Sequence, residues 1–252
     1  MKSSSSIVLV HGLFGSQNDP KILEAFKGHQ VLSPDMLGYG RYRDHPTEKL
    51  TLMDQANHVA AFLTENRLDK VHLVGHSVGG AIAALVALHH QKMLASLTTV
   101  EGNLTLKDAF WSEELSKKSD AEVAEIIAGY LQNPAKWFEN SGVPSSDWSD
   151  KLAFNWLENQ PPSTIKAQAA AVVAATREPS YLDGIKDLMK SGFPVNLVAG
   201  ERASEGWDTP AWANQYCNMR INIKNVGHLM MAENPVSYAR AVLACVFHSQ
   251  QV

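Results

Sequence analysis

The sequence predicts an α/β fold: a mostly parallel sheet with helices on both faces and a helical segment inserted into it. Three observations predict it. Through the first hundred residues or so, short β-branched apolar runs alternate with longer helical patterns, the rhythm of βαβ units. The runs are apolar at nearly every position, as in strands buried on both faces. After about residue 102 the rhythm gives way to helical patterning for about eighty residues, and then it resumes. A chain of 252 residues with 45% hydrophobic content can bury one substantial core.

Taken in order, the predicted elements are a strand over Ile7 to Val10, a helix opened by Asp19-Pro20 and a strand over Val31 to Ser33. A helix near Thr51 to Glu65, a strand over Val71 to Val74, a helix through Ile82 to Leu88 and a strand over Ser96 to Val100 follow. Ser119-x-x-Glu122 is a capping box for a helix that puts Val123, Ile126, Ile127, Tyr130 and Leu131 on one face. Pro161-Pro162 opens an Ala-rich helix through Arg177. Strands resume at Pro194 to Gly200 and Arg220 to Ile223, and Asn234-Pro235 starts a terminal helix to about Phe247. The division this implies is a core of residues 1–102 and 186–252 with a helical cap of residues 103–185. Apart from the serines near the N-terminus there is no repeat or low-complexity stretch.

The stretch Val71-His72-Leu73-Val74-Gly75-His76-Ser77-Val78-Gly79-Gly80-Ala81 runs an apolar strand into Gly-x-Ser-x-Gly and then into a helix. The five-residue pattern alone arises by chance in many chains, but a strand before it and a helix after it are the context it requires. In that context Ser77 sits on a strained turn, Gly75 and Gly79 let the backbone close, and the helix N-terminus favours negative charge beside the hydroxyl. This is a serine-nucleophile signature.

With His11-Gly12-Leu13-Phe14-Gly15 after the first strand, Pro34-Asp35-Met36-Leu37-Gly38-Tyr39-Gly40 after the second, and Gly227-His228 ahead of Glu233-Asn234-Pro235, the chain resembles the α/β-hydrolase superfamily over essentially its whole length. The resemblance implies a sheet of about six strands, because the chain begins almost directly at the His11-Gly12 strand and the antiparallel edge strands of many members are absent or reduced. It implies His228 as general base, and backbone amides of Leu13 and Val78 as oxyanion hole. His29, His45, His58, His89, His90 and His248 are read as surface or core fillers. Phe14, His76, Trp137 and Trp156 are the candidate pocket lining, although Phe14 has an equal use in packing its loop. Four of the six tryptophans, Trp111, Trp137, Trp148 and Trp156, fall in the cap, where they suit an apolar lid or simply hold the cap together.

The acid departs from the family pattern. Many members end the strand corresponding to Val195 to Ala199 with Gly-x-x-Asp, and here the run is Gly200-Glu201-Arg202-Ala203. A carboxylate is still needed to hold the imidazole in the right tautomer. Glu101, at the end of the strand beside the elbow strand, is the first choice, with Glu205 and Asp208 as alternatives. Some haloalkane dehalogenases and fungal zearalenone lactonases, which the chain resembles here, carry the acid as Glu at that position. Dehalogenase chemistry does not transfer, because its nucleophile is Asp.

The expected activity is therefore hydrolysis of a carboxylic ester, thioester or lactone of a small to medium apolar substrate through an acyl-Ser77 intermediate. Two rivals stand beside it. Leu197-Val198-Ala199-Gly200-Glu201-Arg202 with Val100-Glu101-Gly102 also resembles the menaquinone-pathway synthase that eliminates pyruvate. Ala203 and the single cap arginine, Arg177, weigh against that reading. The other rival is a ligand receptor derived from a hydrolase.

A net charge of −4, from 22 basic and 26 acidic residues without a basic cluster, offers no footprint for nucleic acid or an anionic membrane. No stretch reaches the ~20 apolar residues of a membrane span. Cys217 and Cys245 have no metal-ligand spacing and read as free thiols of a reducing, cytoplasmic compartment. The four apolar residues from Ile7 are too few for a signal-peptide core. The expected partner is a small-molecule substrate, with no metal or cofactor. The sequence leaves the oligomeric state open.

Overall fold

The computed structural model describes residues 6–251, and the leading serines Ser3 to Ser5 lie outside them. The first half runs β1 (Ile7–Val10), α1 (Pro20–Glu24), β2 (Val31–Leu32), α2 (Leu52–Glu65), β3 (Val71–His76), α3 (Val78–His89) and β4 (Leu94–Val100). Six helices follow: α4 (Phe110–Ser116), α5 (Asp120–Gln132), α6 (Pro134–Asn140), α7 (Asp147–Glu158), α8 (Pro162–Arg177) and α9 (Pro179–Lys190). The sheet resumes with β5 (Val195–Gly200), α10 (Ala211–Tyr216) and β6 (Met219–Ile223), and the described chain closes with α11 (Met230–Glu233) and α12 (Pro235–Ser249).

The six strands form one sheet in the order β2-β1-β3-β4-β5-β6, and every pairing is parallel. Successive residues of a strand point to opposite faces. On one face Val8, Val10, Leu73, Leu97 and Leu197 pack with α2, α3 and α8. On the other, Ile7, Leu9, Val74, Val100 and Val198 pack with Ile22 of α1 and Tyr238 and Val242 of α12. This is why β1, β3 and β5 are buried at every position, whereas the edge strand β6 alternates in exposure.

Local signals start the helices where they were read. Asp19 accepts from the Lys21 and Ile22 amides ahead of Pro20. Thr51 with Asp54, and Ser119 with Glu122, close capping boxes. Asn234 caps α12 through the Ser237 amide.

Within 103–185 the chain has more helices than the two read from pattern: α4 and α6 have only seven residues each, and α7 starts at a Ser146 cap that accepts from the Ser149 amide. The boundary at residue 186 falls inside α9, where Tyr181 and Ile185 share a cluster with the buried residues of α3. The parallel arrangement sets the carboxyl ends of β1, β3, β4 and β5 side by side, where an open α/β sheet holds its ligand.

Candidate active site

Ser77 follows β3 directly and has φ 53° and ψ −123°, a conformation L-residues rarely adopt. Its neighbours are glycine because the turn leaves no room. A Cβ on Gly75 would lie 2.2 Å from the Gly79 carbonyl, and one on Gly79 would lie 2.3 Å from the His11 carbonyl. The Ser77 amide donates to the Val100 carbonyl (3.0 Å), and the Ser77 carbonyl accepts from Gly80 (2.8 Å) and Asn103 (3.2 Å).

Beside it, the loop after β1 is fixed by Tyr39 Oη donating to the Leu13 carbonyl (2.8 Å) and by Asn159 Nδ2 donating to the Gly15 carbonyl (2.9 Å). Neither the Leu13 nor the Val78 amide donates to another group among the described residues. Both amides are thus unpaired, and both residues border the cavity described below.

Glu101 follows β4 directly with φ 43°, and its side chain reaches the end of β5. Its buried carboxylate accepts from the Gly200 amide at Oε1 (2.7 Å) and from His228 Nδ1 at Oε2 (2.6 Å). A carboxylate accepts, so His228 carries its proton on Nδ1 and presents a lone pair at Nε2. Of the other acids considered, Asp208 accepts from Thr105 Oγ1 (2.7 Å), and Glu205 is exposed.

The residues that replace Gly-x-x-Asp have different partners. Arg202 donates to the Asn225 carbonyl (2.6 Å) and to Glu233 Oε2 (2.7 Å), while Glu233 Oε1 accepts from the Gly227 amide (2.7 Å). Arg202 and the buried Glu233 therefore brace the loop that carries His228.

Ser77, His228 and Glu101 face one cavity of about 550 Å³. Leu13, Phe14, His76, Val78, Trp137 and Trp156 all line it. Phe14 is the hub of an aromatic wall, with Trp111 at 5.3 Å, Trp137 at 5.4 Å and Tyr130 at 6.5 Å between ring centroids. Trp148 is elsewhere: its Nε1 donates to Asp19 Oδ1 (3.2 Å) and Lys21 sits over its ring, fastening α7 to α1. Residue-by-residue reading missed Asn103, Asp108, Phe110, Ser112, Tyr130 and Trp207 as lining. Only Tyr130 had a signal, its place on the apolar face of α5.

A model of the alpha/beta hydrolase fold family matches residues 6–141. The chain belongs to the alpha/beta hydrolase family. Within it, the chain is 35% identical over 261 residues to 2-succinyl-6-hydroxy-2,4-cyclohexadiene-1-carboxylate synthase of Pectobacterium atrosepticum, covering 96% of this chain and 94% of that protein. It is 25% identical to ethanol acetyltransferase 1 of Eremothecium cymbalariae over 96% of this chain and 74% of the other. A thermophilic esterase from Thermogutta terrifontis superposes with a TM-score of 0.71 at 18% identity, covering 98% of this chain and 91% of its own, which shows a shared fold. Among the described residues no helix is long and apolar enough to cross a membrane, and no group of three or more His, Cys, Asp or Glu is placed to hold a metal ion.

The buried rings of His11, His72 and His76 set an acid limit on stability. His76 donates from Nε2 to the His228 carbonyl (2.9 Å), its ring 4.6 Å from that of His228. Burial first, and then the neighbouring His228, hold its pKa well below the ordinary histidine value. Burial likewise lowers His11 from 6.5 to about 4, against the bond to the Gly12 carbonyl and the charge of Asp35, and lowers His72 to about 4.

In the unfolded chain these rings bind protons below pH 6.5 that the folded protein refuses, so stability falls as pH drops from 6.5 towards 4. For His11 alone the loss is about 2 kcal/mol at pH 5. Asp108, raised by burial to about 6, acts the other way. Its offset is about 1–2 kcal/mol at pH 5. Three histidines outweigh one aspartate, so urea unfolding should show at least about 2 kcal/mol less stability at pH 5 than at pH 7.5. An equal or greater stability at pH 5 would contradict the burial of these rings.

Proposed function

We propose that the protein is a serine hydrolase that cleaves a carboxylic ester, thioester or lactone of a small to medium, uncharged substrate. The observation that carries the reading is the 2.6 Å bond from His228 Nδ1 to the buried Glu101 carboxylate, which leaves the His228 Nε2 lone pair in the cavity that Ser77 lines. In the proposed reaction His228 Nε2 takes the Ser77 proton as Oγ attacks the carbonyl carbon. The oxyanion that forms accepts from the Leu13 and Val78 amides. Collapse releases the alcohol or thiol, protonated by His228, and leaves acyl-Ser77, which water cleaves with His228 again as base. Glu101 keeps the imidazole in the required tautomer and stabilises the imidazolium. No step calls on a metal or cofactor.

A cavity of about 550 Å³ walled by aromatic rings supports a substrate of modest size. The 35% identity to the synthase supports a second reading, in which Ser77 and His228 abstract a proton in a lyase. Against it, among the described residues no Lys or Arg lines the cavity to receive a multiply anionic substrate, and Ala203 stands where the family acid is expected.

Pre-steady-state kinetics with p-nitrophenyl esters of graded acyl length test the proposal. The expected result is turnover, with a p-nitrophenol burst and an acyl adduct on the Ser77 peptide by mass spectrometry. No turnover and no adduct with any ester would overturn it.

A further inference from the structure

We propose that Arg202 is a positioning residue that ties the cap turn lining the cavity to the loop of the catalytic base, so that the placement of His228 depends on how the cap is seated. This deepens the ester-hydrolase reading and rests on it. One guanidinium nitrogen is the shared point. Arg202 Nη2 pairs with Glu233 Oε2 (2.7 Å) and donates to the Gly142 carbonyl (3.4 Å) in the turn between α6 and α7. Glycines back onto it from both sides: a Cβ on Gly142, which has φ 87°, would lie 2.6 Å from Nη2, and one on Gly227 would lie 3.2 Å from it. Through Glu233 Oε1, which takes the Gly227 amide (2.7 Å), the same nitrogen acts on the residue before His228. Nη1 donates to the Asn225 carbonyl (2.6 Å) in that loop.

Both joined segments face the cavity. Asn140 and Ser141, just before Gly142, line it, and so do His228 and Leu229. Val143, just after, is buried in one cluster with Met230 and Met231 of α11. The planar fork of an arginine reaches three acceptors that a lysine ammonium cannot serve together. The Glu233 side chain is 5% exposed, so removing the guanidinium leaves a buried carboxylate without its cation. The loop keeps other ties, from the Arg202 amide to the Val226 carbonyl (3.1 Å) and from His76 Nε2 to the His228 carbonyl (2.9 Å). The expected fault is therefore a displaced His228 in a folded protein, and a displacement of about 1 Å costs about 100-fold in rate.

The test is steady-state kinetics on p-nitrophenyl butyrate together with proton NMR of His228 Nδ1–H. The 2.6 Å bond to Glu101 puts that proton far downfield, and its loss in Glu101→Gln assigns it. Arg202→Ala should lower kcat by about 10–100-fold, raise KM by about threefold or more, and shift or broaden the signal. Arg202→Lys should fall between Arg202→Ala and wild type. Half of the Arg202 side chain is open to solvent, so methylguanidinium added to Arg202→Ala should restore kcat and the signal, and urea at the same concentration should not. Gly142→Ala, whose methyl meets Nη2, should disturb the same His228 signal from the cap side.

An unchanged kcat in Arg202→Ala, or a loss that methylguanidinium does not repair, would overturn the positioning role. A fall in kcat alone, with the His228 signal untouched in Gly142→Ala, would overturn the link to the cap. If wild type turns over no ester, the hydrolase reading fails by itself. The link is then read from the NMR signal, which needs no substrate: movement in both Arg202→Ala and Gly142→Ala supports it, and an unmoved signal in either overturns it.

Discussion

Ser77→Ala is expected to lose ester turnover by about 10⁴-fold or more, with stability within about 0.5 kcal/mol of wild type. The hydroxyl has no hydrogen-bond partner among the described residues, so its removal strands no buried group. Alanine keeps the Cβ and hence the strain of φ 53°. Ser77→Gly should be as inactive and yet more stable. A non-glycine residue in this region costs about 1–3 kcal/mol. Glycine removes that strain at an unfolded-chain entropy cost of about 0.5–1 kcal/mol, for a net gain of about 1 kcal/mol. Urea midpoints and kcat on p-nitrophenyl butyrate measure both effects. An alanine variant within about 100-fold of wild type would move the nucleophile elsewhere. A glycine variant less stable than wild type would show that the turn stores no strain.

The parallel core was readable because each of its elements carries a local cause. Continuous apolar runs make strands buried on both faces, and Asp19, Thr51, Ser119 and Asn234 are side-chain caps that fix where helices begin. The insertion was readable as helical but not helix by helix. The segments α4 and α6 have seven residues each, too short for a 3.6-residue period to stand out, although Asn133 and Pro134 start α6.

The site divides in the same way. Ser77 and the Leu13 loop lie at strand ends that the sequence marks, and His228 was placed by family resemblance. The 2.6 Å contact to Glu101 joins residues 127 apart in sequence, so no local pattern encodes it. Its place at a strand end put Glu101 ahead of Glu205 and Asp208 in the sequence, but did not decide among them. What the structure adds is the positive φ at Glu101 and the Gly200 amide that its carboxylate accepts from. Trp148 and Trp156 were equally good lid residues by composition, but only tertiary packing sends Trp156 to the cavity and Trp148 to Asp19.

Glu101→Gln should lower kcat by about 10³–10⁴-fold with the fold intact. The glutamine carboxamide oxygen can still accept from the Gly200 amide, so that buried N–H stays satisfied. Its NH₂ then faces His228 Nδ1 and donates to it, which forces the imidazole proton onto Nε2. A protonated Nε2 cannot take the Ser77 proton. Glu101→Ala is the poorer test, because it strands the Gly200 amide and costs about 1–3 kcal/mol of stability, which mixes folding with chemistry.

Glu101→Asp probes reach. Shorter by one methylene, it cannot span both the Gly200 amide and His228, and should fall between wild type and Glu101→Gln. Glu205→Gln, at an exposed position, and Asp208→Asn, whose side chain is bonded to Thr105, should each stay within about tenfold of wild type. The reverse order, with Glu101→Gln active and Asp208→Asn inactive, would return the acid to the loop after β5. The expected order instead fits an acid that moved one strand along the sheet while Arg202 and Glu233 took over bracing of the histidine loop.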